Sequence, residues 1–286
     1  MKSTLSIVIF ACEGREHLLR KTWASFRPNF SGVPVRKILA IDGHISLGEI
    51  EAISPDIVVQ NFRRRGYVTS IQNALAQTTS EFFFWLEDDW IANQKLEVES
   101  AISLLRKHPS WLQIRWSKIG QLSESDYMLS PGVRYSSVGF SANPAICRTA
   151  ETQAGFESIV HGATNGLSSD ARNFENELIN WAHANNRVCA VFETDGTPAV
   201  SHIGYLERTG RQWHTVNSLQ RQPEEFLFSM GRPPQLRRRV WMMAKLLGVM
   251  VDLSMRQFRD NGAYELAFRI VVTLQAYIRE RSSTPS

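Results

Sequence analysis

The stretch Glu81-Phe82-Phe83-Phe84-Trp85-Leu86-Glu87-Asp88-Asp89-Trp90 decides how the chain is read. Five apolar residues in succession, with no polar alternation, fit a strand buried on both faces, as at the centre of a parallel sheet. The run ends abruptly in three carboxylates, and ionised carboxylates cannot close such a strand inside a core without a cation or a strong partner. They therefore belong at its carboxyl end, where open α/β sheets hold ligands. Two readings of Glu87 to Asp89 stand side by side. One is a divalent metal held against a nucleotide diphosphate. The other is an N-cap on a following helix, for which Asp88 or Asp89 before Ile91-Ala92 is well suited.

At 286 residues there is room for one large α/β domain plus an appendage. A hydrophobic fraction of 43% with 21% charged residues describes a folded globular chain. The 10% of aromatic residues, 8 Trp among them, suits sites for rings or sugars as well as cores. The 3 cysteines, Cys12, Cys147 and Cys189, are odd in number, far apart and set among apolar neighbours. They read as reduced core residues of a cytoplasmic protein, not as a disulfide framework or zinc site. Lys2 with Leu5 to Cys12 faintly resembles an export signal cleaved at Ala11-Cys12. Its apolar part is short, however, and runs straight into a strand–helix pattern.

In chain order, Leu5 to Cys12 reads as a buried first strand, Glu13-Gly14-Arg15 as its turn, and Glu16 to Phe26 as a helix with Leu18, Leu19, Thr22, Trp23 and Phe26 inward. Residues 28–34 read as a loop. Lys37 to Ile41 is a second strand ending in Asp42-Gly43, and Ile57 to Val59 a third, followed by the basic loop Arg63-Arg64-Arg65-Gly66. A helix over Thr69 to Thr78 leads back to the carboxylate-tipped strand, completing a nucleotide-binding α/β half. Asp42 reads either as an acceptor for a base or ribose or as a turn-forming Asp-Gly. Arg63 to Arg65 read either as phosphate contacts or as a solvated loop. The chain has neither a Walker loop nor a GxGxxG fingerprint, so it supports neither a P-loop enzyme nor a dinucleotide oxidoreductase.

Leu5 to Leu18, Ile41-Asp42-Gly43, Asn73, and Phe82 to Asp89 together resemble the donor-binding half of glycosyltransferase family 2. The resemblance implies a GT-A fold, with a mixed, mostly parallel central sheet flanked by helices. Glu87 and Asp89 match that family's Asp-x-Asp, with Asp88 between them. Asp89 would then bind a Mn2+ or Mg2+ ion bridging the diphosphate, while Glu87 or Asp88 reaches the ribose or a metal-bound water. Asp42 matches the position against the nucleobase and Asn73 a position beside the site; Arg65 would face the phosphates. Phe10-Ala11-Cys12-Glu13 stands where the family has Pro-Thr-Tyr-Asn, which brings Ala11 and Glu13 to the donor.

Farther on, Trp111 to Trp116 reads as a strand, and Val138 to Arg148 looks like the family's strand behind the acceptor site. A helix opens at Asn173-Phe174-Glu175-Asn176-Glu177. Its acidic residues suit the positive end of a helix dipole. By resemblance, one of Glu175 and Glu177 is the general base of an inverting transfer, because the matching position is Asn176, which cannot accept a proton in that role. Val188 to Glu193 is a further strand, followed by Val200 to Gly204 with His202. A lone histidine reads equally as structural or as part of the metal shell that related enzymes complete here. Arg208, Arg211 and Trp213 are expected in a loop over the donor.

Residues 1–231 are expected to form the catalytic domain, 1–90 binding the nucleotide and 91–231 the acceptor, with a helical extension over 232–286. That extension carries ten Lys/Arg against four Asp/Glu, a net of +6, and the rest carries 22 against 24, a net of −2. The overall +4 therefore belongs to the tail, and nothing in the main domain calls for nucleic acid. The tail's two apolar stretches are shorter than the roughly 20 residues that span a bilayer. They read as packing on the domain or on a second copy, or as lying on an anionic membrane face. The expected partners are a nucleotide-diphosphate sugar and a glycan or other hydroxyl acceptor. A non-catalytic nucleotide- or glycan-binding protein is the alternative, and a nucleotidyltransferase a weaker one.

Overall fold

The computed structural model describes residues 5–62, 67–118, 126–163 and 174–203. The amino-terminal part winds as β1 (Leu5–Cys12), α1 (Glu16–Phe26), β2 (Val35–Asp42), α2 (Leu47–Ile53), β3 (Ile57–Asn61), α3 (Tyr67–Ala76) and β4 (Phe82–Glu87). There follow β5 (Trp90–Ala92), α4 (Val98–Lys107), β6 (Trp111–Arg115), β7 (Met128–Ser130), β8 (Val133–Tyr135), β9 (Ala145–Arg148), α5 (Thr149–Ala163), α6 (Phe174–Ala184), β10 (Val188–Phe192) and β11 (Val200–His202).

Among the described residues the main sheet runs in the order β3-β2-β1-β4-β9-β6-β10-β8-β7. β1, β2, β3 and β4 are mutually parallel, and β6 and β10 point the same way; β9, wedged between β4 and β6, and β8, beyond β10, oppose them. The fold is thus α/β, with a mixed, mostly parallel central sheet flanked by helices. β4 is central because its side chains are apolar on both faces. Phe82, Phe84 and Leu86 enter one core with Leu19 and Phe26 of α1 and Ala101, Ile102 and Leu105 of α4. Phe83 and Trp85 enter the other with Val68, Ile71 and Leu75 of α3, Phe156 of α5 and Phe174 and Leu178 of α6. Period-2 alternation of side-chain direction places successive residues in the two layers.

The strand order reverses beside β1: the chain moves from β1 outward through β2 to β3, then returns to place β4 on the other side. That is a topological switch point, the place at the strands' carboxyl ends where open α/β sheets hold ligands. Register sets what lines it, with Cys12 opposite Asp42, Asp42 opposite Asn61, and Phe10 opposite Glu87.

Three sequence expectations are corrected. The helix-cap reading of Asp88 and Asp89 fails, because Trp90–Ala92 is a strand paired antiparallel with Val200–His202, and α4 begins only at Val98. Between β2 and β3 lies α2, only seven residues long and with just Glu49 and Ile53 buried, so its pattern was too weak to read. Inside Val138 to Arg148 only Ala145–Arg148 is strand; Gly139 turns the chain ahead of it at φ 74°. Arg63 to Arg65, Arg208, Arg211, Trp213 and the tail over 232–286 lie outside the described residues.

Candidate functional site

The acidic tip is fixed from behind by α1. Thr22 and Ser25 of α1, and Asn29 in the 3-10 turn Arg27–Phe30 that continues it, follow one another at spacings of three and four residues. The buried Thr22 hydroxyl donates to the Asp88 carbonyl at 2.8 Å and accepts the Trp90 amide at 3.1 Å. Ser25 Oγ accepts the Ala92 amide at 3.1 Å, and Asn29 Oδ1 the Leu96 amide at 2.8 Å. A turn that carries three carboxylates out of a dry core is therefore held by neutral polar groups on its backbone. Its side chains are left for other partners.

Those side chains diverge. Asp88 turns toward β1: its Oδ2 accepts the Cys12 amide at 3.1 Å, and its Oδ1 lies 3.2 Å from Arg15 Nη2. Asp89 Oδ2 accepts from Arg15 Nη2 and lies 3.2 Å from His202 Nε2. Asp89 Oδ1 is buried with no hydrogen-bond partner among the described residues. Glu87 accepts from the Tyr67 hydroxyl at one oxygen and from Trp90 Nε1 at the other, at 3.1 Å. Both aspartates are nearly closed off, at 3% and 4% exposure.

His202 reaches the tip through β-pairing. Opposite Trp90 in the two-stranded β5–β11 ribbon, its ring meets the indole edge-on at 4.8 Å, and the Ile203 amide donates to the Asp89 carbonyl at 2.7 Å. One ligand atom from each of Glu87, Asp89 and His202 lies within 4.8 Å of the other two. Two carboxylates and an imidazole, with one carboxylate oxygen buried and unsatisfied, make a donor set that fits a divalent cation such as Mn2+.

Charge is distributed unevenly over the three acids. Burial and then the charge of Asp89 raise Glu87 to about 8, against the pull of its bonds to Tyr67 and Trp90. Burial raises Asp88 to about 7, although Arg15 opposes it. Burial works on Asp89 too, but His202 and Arg15 outweigh it and hold Asp89 at about 2. Asp89 is therefore the most acidic of the three. Arg15 loses solvation on burial, yet the carboxylates of Asp88 and Asp89 raise its pKa further above the ordinary value.

Glu175, at the start of α6, comes to the same neighbourhood. Phe174 stacks against Trp85 at 6.1 Å and meets Tyr67 edge-on at 5.8 Å, so the aromatic core of β4 seats the helix end. Glu175 Oε1 accepts the Ala142 amide at 2.8 Å. Burial raises its pKa, and the Ala142 amide and the Lys118 charge oppose that rise. The Glu175 charge is felt at both Tyr67 and Glu87. Lys118 Nζ lies 5.8 Å from the Trp90 ring centre. Glu177, two residues on, sits about 200° round the helix from Glu175.

Those of the remaining expected residues that are described lie near the ends of β1, β2 and β3. Asp42 is buried at the end of β2, where its carbonyl accepts the Glu13 amide at 3.1 Å. Glu13 Oε2 in turn accepts the His44 amide at 3.1 Å, linking the turns after β1 and β2. Ala11 faces the core beside Ile41. Asn73 donates to Asn61 Oδ1 at 3.1 Å, next to Asp42, and so stands at the β3 tip and not at the acids. Arg65 lies outside the described residues. Arg15, Tyr67, Trp90 and Lys118 were not singled out from sequence. For Arg15 the available signal was its place in the turn directly after the first parallel strand.

No protein-family model matches the chain, and no curated protein matches it in sequence. Among solved structures it is similar to mannosyltransferase PcManGT from Pyrobaculum calidifontis in complex with GDP-Man and Mn2+. The two are 12% identical over 97% of this chain and 83% of that one, with a TM-score of 0.49. Among the described residues no helix is long and apolar enough to cross a membrane.

Proposed function

We propose that this chain is a metal-dependent glycosyltransferase of the GT-A type, akin to family 2, that moves a sugar from a nucleotide diphosphate to an acceptor hydroxyl. The observation that carries the reading is the grouping of Glu87, Asp89 and His202 within 4.8 Å at the switch point, with Asp89 Oδ1 buried and unsatisfied. The mixed oxygen and nitrogen donors suit Mn2+ better than Mg2+, which favours an all-oxygen octahedron. A divalent ion held by these residues would neutralise negative charge on the departing nucleoside diphosphate.

The chain's own residues supply the rest. Asp42 accepts from the base or ribose at the end of β2, with Glu13 fixing the neighbouring turn. Asp88 ties β4 to β1 through the Cys12 amide. Glu175, held by the Ala142 amide, is the base that takes the acceptor proton, which assigns an inverting outcome. Lys118 and Trp90 form the wall on the acceptor side. The basic tail over 232–286 is assigned to packing or to an anionic membrane face at the cytoplasmic side.

A thermal-shift series with nucleoside diphosphates, with and without Mn2+, tests the reading. Ligand at 100 times its Kd adds about 2.7 kcal/mol to apparent stability. One nucleoside diphosphate should raise Tm with Mn2+ present and far less without it. A flat response to all of them overturns the proposal.

A further inference from the structure

Arg15 breaks two local rules at once. It occupies the N-cap of α1 with φ −120° and ψ 18° and makes no side-chain cap, where Ser, Thr, Asp or Asn would be preferred. It also places a positive charge at the helix end that repels one. Glycine at position 14, with φ 85°, makes the turn that brings it there. Local rules broken without local benefit are the mark of a functional position.

The geometry supplies the benefit. Arg15 sits in the turn leaving β1 and the acids in the turn leaving β4, the two turns that flank the switch point. Its side chain is only 15% exposed. Nη2 alone serves both Asp88 and Asp89, while Nε is buried with no hydrogen-bond partner among the described residues. Guanidinium is a fork whose donors match phosphate oxygens in pairs, and the Nε donor of this one is not taken up by any described residue. It also occupies Asp89 Oδ2, an oxygen of the carboxylate grouped with Glu87 and His202.

We propose that Arg15 is the chain's own diphosphate-binding cation, and that it and a divalent ion compete for Asp89: the guanidinium rests on Asp89 in the metal-free protein and turns to the donor's diphosphate in the loaded one. The proposal rests on the metal-dependent reading above. Arg15 is thereby a resident counter-ion that keeps two buried aspartates folded before the ligand arrives.

Mn2+ affinity, read from the electron paramagnetic resonance signal of the free ion, and retention of inorganic pyrophosphate at saturating Mn2+ test this in the full chain. Arg15→Gln should bind Mn2+ about tenfold more tightly or better, because its competitor is gone. The same variant should retain pyrophosphate about ten- to a hundredfold less well, the range for a lost hydrogen bond to a charged group. Arg15→Lys keeps the charge without the fork. Should Arg15→Gln fail to fold, Arg15→Lys still carries the test through its weaker pyrophosphate retention. Unchanged Mn2+ affinity in Arg15→Gln overturns the proposal, and so does unchanged pyrophosphate retention in either variant. In that event Mn2+ still binds the wild type and is lost in Asp89→Asn, whereas failure of the metal-dependent reading shows as no Mn2+ binding to the wild type at all.

Discussion

Replacing Thr22 by Val leaves the volume of a fully buried side chain almost unchanged and removes its hydroxyl. That hydroxyl serves the Asp88 carbonyl at 2.8 Å and the Trp90 amide at 3.1 Å, the two peptide groups that flank Asp89. Each buried polar group left without a partner costs about 1–3 kcal/mol. Thr22→Val should therefore destabilise the fold by about 2–6 kcal/mol, with no cavity to share the blame. Thr22→Ser retains the hydroxyl and loses one methyl, a cost of about 1 kcal/mol. Urea denaturation at constant slope reads both values. Because the same hydroxyl sets the path of the turn, Mn2+ affinity should fall in Thr22→Val and hold in Thr22→Ser. A Val variant as stable as wild type, or a Ser variant as damaged as the Val, would refute this account of how the acidic tip is held.

In metal-free protein, Glu87 at about 8 and Asp88 at about 7 hold protons that the unfolded chain releases near pH 4. The folded state then binds more protons at these two groups across that window, so their contribution to stability is greatest at its lower end and is lost as pH rises from about 4 to 8, while that of Asp89, held at about 2, is lost as pH falls below about 4. Saturating Mn2+ should flatten the decline, and its apparent affinity should rise with pH over the same range. Melting curves at several pH values in chelator and in Mn2+ check this, and a pH-independent Tm in chelator counts against it. Glu175→Gln should lower kcat about 10²–10⁴-fold with little change in donor KM, while Glu177→Gln stays near wild type; equal losses in the two would remove Glu175 from the base role. A Cβ on Gly155 would meet Leu178 Cδ2 at 2.8 Å and the Trp181 ring at 3.0 Å. Overpacking of about 1–3 kcal/mol then exceeds the roughly 1 kcal/mol that Ala gains over Gly in a helix. The denaturation midpoint of Gly155→Ala should drop, and a rise would disprove close α5–α6 packing.

What could be read from sequence was whatever burial on both faces writes into a run of residues. Phe82 to Leu86 announced β4, and Leu5 to Cys12 announced β1, because a central parallel strand admits no polar alternation. The short α2, with few buried positions and a glycine in its first turn, wrote no such signal. The approach of His202 to Asp89 could not be derived from spacing, since it depends on Val200–His202 pairing with Trp90–Ala92 and not on any local pattern. Arg15 reads locally as a solvated turn residue. Only the strand order, with β4 returning to the other side of β1, shows that it must face the acids.

The central claim is tested most directly by release of nucleoside diphosphate from a panel of nucleotide sugars, compared between wild type and Asp89→Ala. Wild type should turn over one donor with Mn2+ present and lose that turnover in chelator, and Asp89→Ala should show none under either condition. Turnover that survives the chelator or the substitution, or a wild type inert toward every donor with Mn2+, would contradict the account.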